Sequence, residues 1–253
     1  MARILGVINQ KGGTGKTTTA VNLSAYLAAL GKNVLLVDLD PQANATTGVG
    51  HRQKEEELNI YHAIIDGNEA GAIIKKTDVF GFHVLPAAAS LAGATVELAS
   101  LNGREFRLKN SLNRIRTDYD YIIIDSPPSL GLLTLNGLVA SEQLIIPVQC
   151  EYYALEGLTQ LLETIELVRS SLNPELKIMG VVLTMHDKRN KLANEVVREV
   201  REKFPGHVFD AIVPRVVSLA EAPSFGKTIL QFDPRSKGAE AYREIAQEVI
   251  RLA

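Results

Sequence analysis

The chain has one cysteine, Cys150, and no tryptophan. A lone thiol excludes an intrachain disulfide and a local cysteine cluster for zinc or iron–sulfur. In the apolar run "LIIPVQC" it reads as a small core residue, consistent with a reducing compartment. Excess charge is also lacking: 27 Lys and Arg stand against 29 Asp and Glu, a formal net charge of −2. That balance gives no whole-molecule attraction to nucleic acid or anionic lipid, so such binding needs a local patch or a doubling of the molecule. No apolar run nears the roughly 18 residues of a membrane span. Met1 leads almost directly into "RILGVIN", which leaves no room for a signal peptide. The expectation is a soluble cytoplasmic protein.

What is present is an alternation of short apolar runs with helix-length segments. The runs "ILGVIN", "NVLLVDLD", "FHVLPA", "YDYIIIDS", "QLIIPVQ", "KIMGVVLTM" and "FDAIVP" are too continuously apolar for strands with one wet face. Between them, Lys16–Leu30, Arg104–Arg116, Leu130–Ala140, Tyr153–Ser171 and Lys191–Phe204 read as helices, and "GAEAYREIAQEVIRL" closes the chain as another. This order predicts one α/β domain over residues 1–253, a mostly parallel twisted sheet with helices on both faces. The segment 51–95 is the least patterned. Its charged run "HRQKEEE" reads as an exposed turn, and "LPAAASLAGATVELASL" as a loop followed by a helix.

The strongest chemical signal is "NQKGGTGKTTTA", a glycine-rich turn between an apolar strand and a helix. There the backbone N–H groups of a turn and a helix N-terminus converge on an anion, as a P-loop requires. Gly12, Gly13 and Gly15 let the backbone approach phosphate, Lys16 supplies a cation at the β/γ-phosphates, and the Thr17 hydroxyl suits Mg²⁺. The stretch Lys11, Gly12, Gly13, Thr14, Gly15, Lys16, Thr17 and Thr18 is therefore the expected nucleotide cradle. Gln10 stands where the usual pattern has its first glycine, and a second lysine, Lys11, is added.

Carboxylates cluster at strand ends. "NVLLVDLDPQAN" ends an apolar strand with Asp38 and Asp40, which alternation would set side by side on one face. "YIIIDSPP" ends another with Asp125. The C-terminal ends of strands are where open α/β sheets bind ligands.

With "KGGTGKTT", "VLLVDLDPQAN", "YIIIDSPPSLG", "PVQCEYYALEG" and "EAPSFGKTI…DPRSKGAEAY", the sequence resembles the deviant Walker A ATPases over its whole length, and within them the ParA/Soj partition group. The resemblance implies a P-loop NTPase fold, ATP and Mg²⁺ as cofactors, and a sandwich homodimer in which Lys11 reaches the nucleotide of the other subunit. It assigns Lys11 and Lys16 to charge neutralisation, Asp40 to positioning the attacking water, and Asp125 with Thr17 to the metal, with Asp38 near its shell. It suggests Met185, Pro214 and Arg215 around the base, and Glu151 near the interface. Phosphoryl transfer rests on positioning and charge stabilisation, and this sequence shows no internal arginine finger near the site. A slow ATPase stimulated by a ParB-like protein with a basic N-terminal segment is the expectation.

The resemblance further implies nonspecific DNA binding and association with the nucleoid, through basic positions late in the chain. Arg189, Lys191 and Lys227 are the candidates, with Arg235 and Lys237 as supplements. Between His186 and Arg215 there are seven Lys/Arg and five Asp/Glu, a net of only +2. Along "KLANEVVREVREKF", Leu192, Val196, Val200 and Phe204 form the expected buried stripe, leaving Lys191, Arg198 and Arg201 outside. Ser218 stands where Soj-like relatives often carry arginine. Rival readings on the same scaffold remain: a positioner of another cargo such as a chemotaxis cluster or carboxysome, a MinD-like membrane protein, an iron–sulfur reductase and a dethiobiotin-synthetase-type ligase. The final helix, with three Glu and two Arg from Gly238 onward, reads as docked rather than membrane-binding. Lys11 disfavours the ligase, and the single cysteine disfavours the reductase.

Overall fold

Alternate side chains of the central strands feed cores on opposite faces of one sheet. In the computed structural model, which describes residues 1–54 and 56–252, Val34 and Leu36 pack on one side while Leu35 and Val37 pack on the other. All four are buried, which is why the run shows no polar alternation. The strands β1 (Arg3–Val7), β2 (Val34–Asp38), β3 (Lys75–Lys76), β4 (Phe82–Leu85), β5 (Tyr121–Asp125), β6 (Gln143–Gln149) and β7 (Lys177–Thr184) lie in the order β3-β4-β2-β5-β1-β6-β7. Every pairing is parallel except β3 with β4.

The first face is covered by the helices Lys16–Ala29 and Lys237–Leu252, which bury Leu23, Leu27, Tyr242 and Ile245 against the strands. The Tyr242 hydroxyl lies 3.2 Å from that of Thr19, so the last helix is docked on the first. On the second face, Ile60–Ile64, Leu91–Ala99, Arg107–Asn113 and Leu132–Ala140 enclose another core. Ala154–Ser171 and Lys191–Lys203 cover the β6–β7 end. From β1 the chain crosses to β2 on one side, and from β5 to β6 on the other. The crevice of such a sheet opens where the strand order reverses, at the C-terminal strand ends.

The α/β reading and six of the seven expected strands are present. The seventh, "FDAIVP", is not a strand. Residues 209–214 follow β7 as irregular backbone, joined by single bridges from Val181 to Val208 and from His186 to Pro214. Pro214 has no N–H to extend a ladder. Of the helix expected over Arg104–Arg116, only Arg107–Asn113 is α-helical, between 3₁₀ turns at Arg104–Phe106 and Arg116–Asp118. The stripe on Lys191–Lys203 is also corrected: Leu192 is exposed, and Ala193 is buried with Val196, Val200 and Phe204. Asn190 caps this helix through the Leu192 amide, and four-residue steps drift around a 3.6-residue helix, so Leu192 falls off the buried face. In the charged run from His51 to Glu57 the described residues are half-buried or exposed, and Glu55 lies outside the described residues. Cys150 is buried in the β6–β7 core, which pushes its thiol up to about 12.

One backbone contact locks the segment after β2 to the C-terminal part. Gly50 and Gly226 both have positive φ, and a Cβ at Gly226 would stand 2.8 Å from the Gly50 Cα. Gly226→Ala is expected to destabilise the fold by about 1–3 kcal/mol through overpacking in addition to backbone strain. Gly67 also has positive φ, but a methyl group there would meet no neighbour within 4 Å. Gly67→Ala should therefore cost strain alone, and urea denaturation of the two variants checks the difference.

Candidate active site

The glycine turn leaves β1 and is pinned from both sides. Asn9 donates to the Pro147 carbonyl at 2.7 Å and accepts from the Lys11 amide at 3.0 Å. Across the turn, Thr184 at the end of β7 donates to the Thr14 carbonyl at 2.8 Å. Gly13 and Gly15 have φ of 74° and 88°, and the helix Lys16–Ala29 starts directly after Gly15. A Cβ at Gly12 or Gly13 would meet no atom within 4 Å, so the turn's inner surface faces open space. That space is a cavity of about 550 Å³ lined by the glycines, Lys16, Thr17, Thr18 and Asp40, and closed by Pro127, Pro128 and Met185. The Lys16 ammonium donates to the Lys11 carbonyl at 3.0 Å. Burial lowers its pKa, an effect opposed by the carboxylates of Asp125 and Asp40.

Asp125, at the end of β5, is fully buried; neither of its oxygens meets a donor at full hydrogen-bond geometry among the described residues, although the Thr17 hydroxyl stands close enough to lower its pKa. It pairs in register with Asp38 on the adjacent strand. Burial, followed by the charge of Asp38, raises its pKa well above the usual carboxylate range. Two unpartnered carboxylate oxygens next to the Thr17 hydroxyl at a helix N-terminus are a donor set suited to a hard divalent cation. Asp38 is different. Its Oδ1 accepts from the Asp40 amide at 3.2 Å, and its Oδ2 accepts from the Thr46 amide at 2.8 Å and the Thr46 hydroxyl at 2.7 Å. Burial still pushes its pKa up to about 6. β2 ends at Asp38, so Asp40 does not share a strand face with it as alternation would have it. Asp40 instead opens a turn, with Oδ1 accepting from the Gln42 amide at 2.9 Å, and lines the cavity.

Met185, Pro214 and Arg215 come together around a second cavity of about 240 Å³, which shares Gly15, Thr18 and Met185 with the first. Met185 holds a φ of 54°, a strained left-handed conformation for a residue with a side chain. Lys11 lines neither cavity and pairs with Glu151 at 3.1 Å, both side chains about half exposed. The late basic candidates lie elsewhere. Arg189 makes two hydrogen bonds to Asp187, at 3.1 and 2.9 Å, which hold the Asp187 carboxyl down to about 2. Lys191 is exposed, and Lys227 lines an adjoining cavity of about 270 Å³ that shares Thr17, Thr18 and Asn44 with the first. Sequence reading missed Asn9 and Thr184, whose partners lie far along the chain, and Thr46, whose bonds to Asp38 depend on how the chain turns back after β2. The only local signal was a polar residue ending each of two apolar runs.

Residues 2–178 match the AAA domain family. The chain is 53% identical over 249 residues to the sporulation initiation inhibitor protein Soj of Bacillus subtilis, covering 98% of both chains. It is 50% identical to the chromosome partitioning protein ParA of Myxococcus xanthus, covering 99% of this chain and 89% of that one. The chain belongs to the Soj/ParA family of partition ATPases. Among solved structures, cobyrinic acid a,c-diamide synthase from Mycobacterium smegmatis with bound ATP analog and magnesium is 39% identical, with a TM-score of 0.87 over 99% of this chain and 95% of that one. The Soj/ParA relatives thus share more sequence with this chain than the synthase does.

A pH effect follows from the two buried acids. Their folded pKa values are raised, so the native state holds more protons than the unfolded chain between the ordinary carboxylate pKa and the raised one. Stability of the protein without nucleotide or magnesium should therefore fall as pH rises through that window. For Asp38 the window runs from 3.8 to about 6. Thermal melts at pH 5 and 7.5 should show wild type losing stability at the higher pH, and Asp125→Asn losing less.

Proposed function

We propose that this chain is a partition ATPase in which Mg·ATP joins two copies into a DNA-binding homodimer, and a ParB-like partner triggers hydrolysis and release. The reading rests on the family and above all on Lys11. A second lysine on the phosphate loop does not line its own cavity and sits in a half-exposed ion pair. Such a pair contributes about 0–1 kcal/mol and is readily exchanged for a stronger anion. A triphosphate presented by a second copy is such an anion, and a flexible ammonium suits it.

Within one subunit, the turn amides and Lys16 would hold the β/γ-phosphates, and Met185, Pro214 and Arg215 the base. Asp125 and Thr17 would hold magnesium, which supplies charge neutralisation on the phosphate oxygens when bound. Asp40 faces the same cavity and is assigned to orient the attacking water. Arg189, Lys191 and Lys227 would contribute to DNA binding. With Arg189 already paired to Asp187, a single copy offers little net charge to a phosphate backbone. Two copies double the contacts, so DNA affinity follows the nucleotide state. The protein would then act in the cytoplasm on the nucleoid, as one P-loop domain over residues 1–253.

Light scattering with a nonhydrolysable ATP analogue should give a dimer for wild type and a monomer for Lys11→Ala, which should still bind the analogue. An intact Lys11→Ala dimer would refute the cross-subunit role. Asp40→Ala should bind ATP, dimerise and stay on DNA while losing about two orders of magnitude or more in partner-stimulated turnover. Turnover that requires an added organic acid and nitrogen donor would instead favour the amide-synthase chemistry named for the 39%-identical structure.

A further inference from the structure

Thr46 has no assigned part in the reaction, yet it is the hub of a buried hydrogen-bond relay that ends at Asp40. It lies on the short helix Asn44–Gly48 and is 1% exposed. Its hydroxyl donates to Asp38 Oδ2 at 2.7 Å and accepts from the Ala87 amide at 3.0 Å. Its own amide adds a second bond to the same Asp38 oxygen at 2.8 Å. The other oxygen of Asp38 receives the Asp40 amide. One hydroxyl thus ties the loop after β4 to the end of β2, and through Asp38 fixes the peptide that carries the Asp40 side chain.

The chemistry of the relay is selective. A hydroxyl can donate and accept at once, whereas a methyl group of the same size does neither. Asp38 is fully buried, so its lone pairs depend on protein donors, and one bond lost is not replaced by bulk water. The glycine loop that carries Lys16 is anchored separately, through Asn9 and Thr184. Loss of the Thr46 hydroxyl should therefore disturb the placement of Asp40 while leaving the phosphate cradle as it is.

We propose that Thr46 is a positioning residue for ATP hydrolysis, acting through Asp38 to hold Asp40 at the reacting centre. The proposal rests on the reading of Asp40 as the group that orients water. It also gives Asp38 a different task from ligation of metal: three of its roughly four acceptor positions are taken by Thr46 and Asp40.

The test measures basal ATP turnover of the full chain for wild type, Thr46→Val, Thr46→Ser and Asp40→Asn. It also includes titration with a fluorescent ATP analogue and the magnesium dependence of the rate. Thr46→Val is expected to lower kcat about tenfold or more, as a small misplacement of a reacting group does, with KM and analogue Kd within about threefold of wild type. Thr46→Ser, which keeps the hydroxyl, should restore kcat to within about twofold. Unchanged kcat in Thr46→Val overturns the proposal, as does a loss of affinity that matches the loss of rate, or equal losses in Val and Ser. Should Thr46→Val fail to fold, Asp38→Asn serves in its place. The proposal expects reduced kcat at an unchanged magnesium requirement, whereas a raised requirement places Asp38 in the metal shell and overturns the relay. Asp40→Asn separates the two layers. Full activity there removes the reading of Asp40 and the proposal with it, while an inactive Asp40→Asn beside a fully active Thr46→Val removes the proposal alone.

Discussion

Two carboxylates on neighbouring strands, Asp38 and Asp125, stand in register at the C-terminal edge of the sheet, both fully buried. The rest of the site is organised around this concentration of negative charge. Asp38 is satisfied by protein donors, while Asp125 meets none at full hydrogen-bond geometry among the described residues. Asp40 adds a third acid nearby, and Lys16 is the cation that the loop places against them. Burying like charges together is costly unless a cation is shared between them. The two acids thus differ in what surrounds them: Asp38 is held by protein donors, whereas Asp125 has only the nearby Thr17 hydroxyl and the Lys16 charge. That asymmetry gives the strand register a chemical purpose: one acid builds the loop, the other waits for a ligand.

The glycine turn meets the same demand from the opposite direction. Its amides and Lys16 present positive potential, and a ligand able to satisfy both sides must carry anionic groups for the turn and a cation for Asp125. A magnesium-bound polyphosphate has this composition. The left-handed Met185 at the end of β7 belongs to the same logic. Its strained backbone is held in place beside Thr184, the residue that pins the turn, so the second cavity is rigidly joined to the first. Preorganisation of this kind reduces what binding must spend on ordering the site.

Much of this was legible in the sequence. Strands buried on both faces appear as unbroken apolar runs, and the lysine–glycine turn sits between a strand and a helix where its chemistry requires. The acids ending those runs were legible for the same reason. Asn9 and Thr184 were not, because their decisive bonds span 138 and 170 positions and depend on sheet order; Thr46 was not, because its bonds to Asp38, 8 positions away, depend on how the chain turns back after β2. "FDAIVP" was apolar enough for a strand, yet its residues are buried by packing beside β7 rather than by ladder pairing. Burial explains its composition, and its backbone meets β7 only through scattered hydrogen bonds, Phe209 to Val181 and Val213 to Leu183, before the bridge at Pro214. Leu192 was misplaced because steps of four residues drift around a 3.6-residue helix, so the first of four such positions falls off the face that buries the last.

The surface follows a different rule from the site. Three of the seven cations between His186 and Arg215 stand against a neighbouring acid: Arg189 by Asp187, Lys203 by Glu199, and Arg198 near Glu202. Each pair is solvent-exposed and weak, so each can open toward a denser line of phosphates. Opening costs little per pair, but several must open together, and a lone subunit gains few contacts in return. Counterion release scales with the number of phosphates neutralised, so doubling the subunit steepens the dependence of affinity on contacts. Locally paired cations thereby suit a protein whose hold on DNA is to be conditional. In the proposed scheme they would keep the single chain off the polymer and leave the decision to Lys11 and the nucleotide it is proposed to share with a second copy.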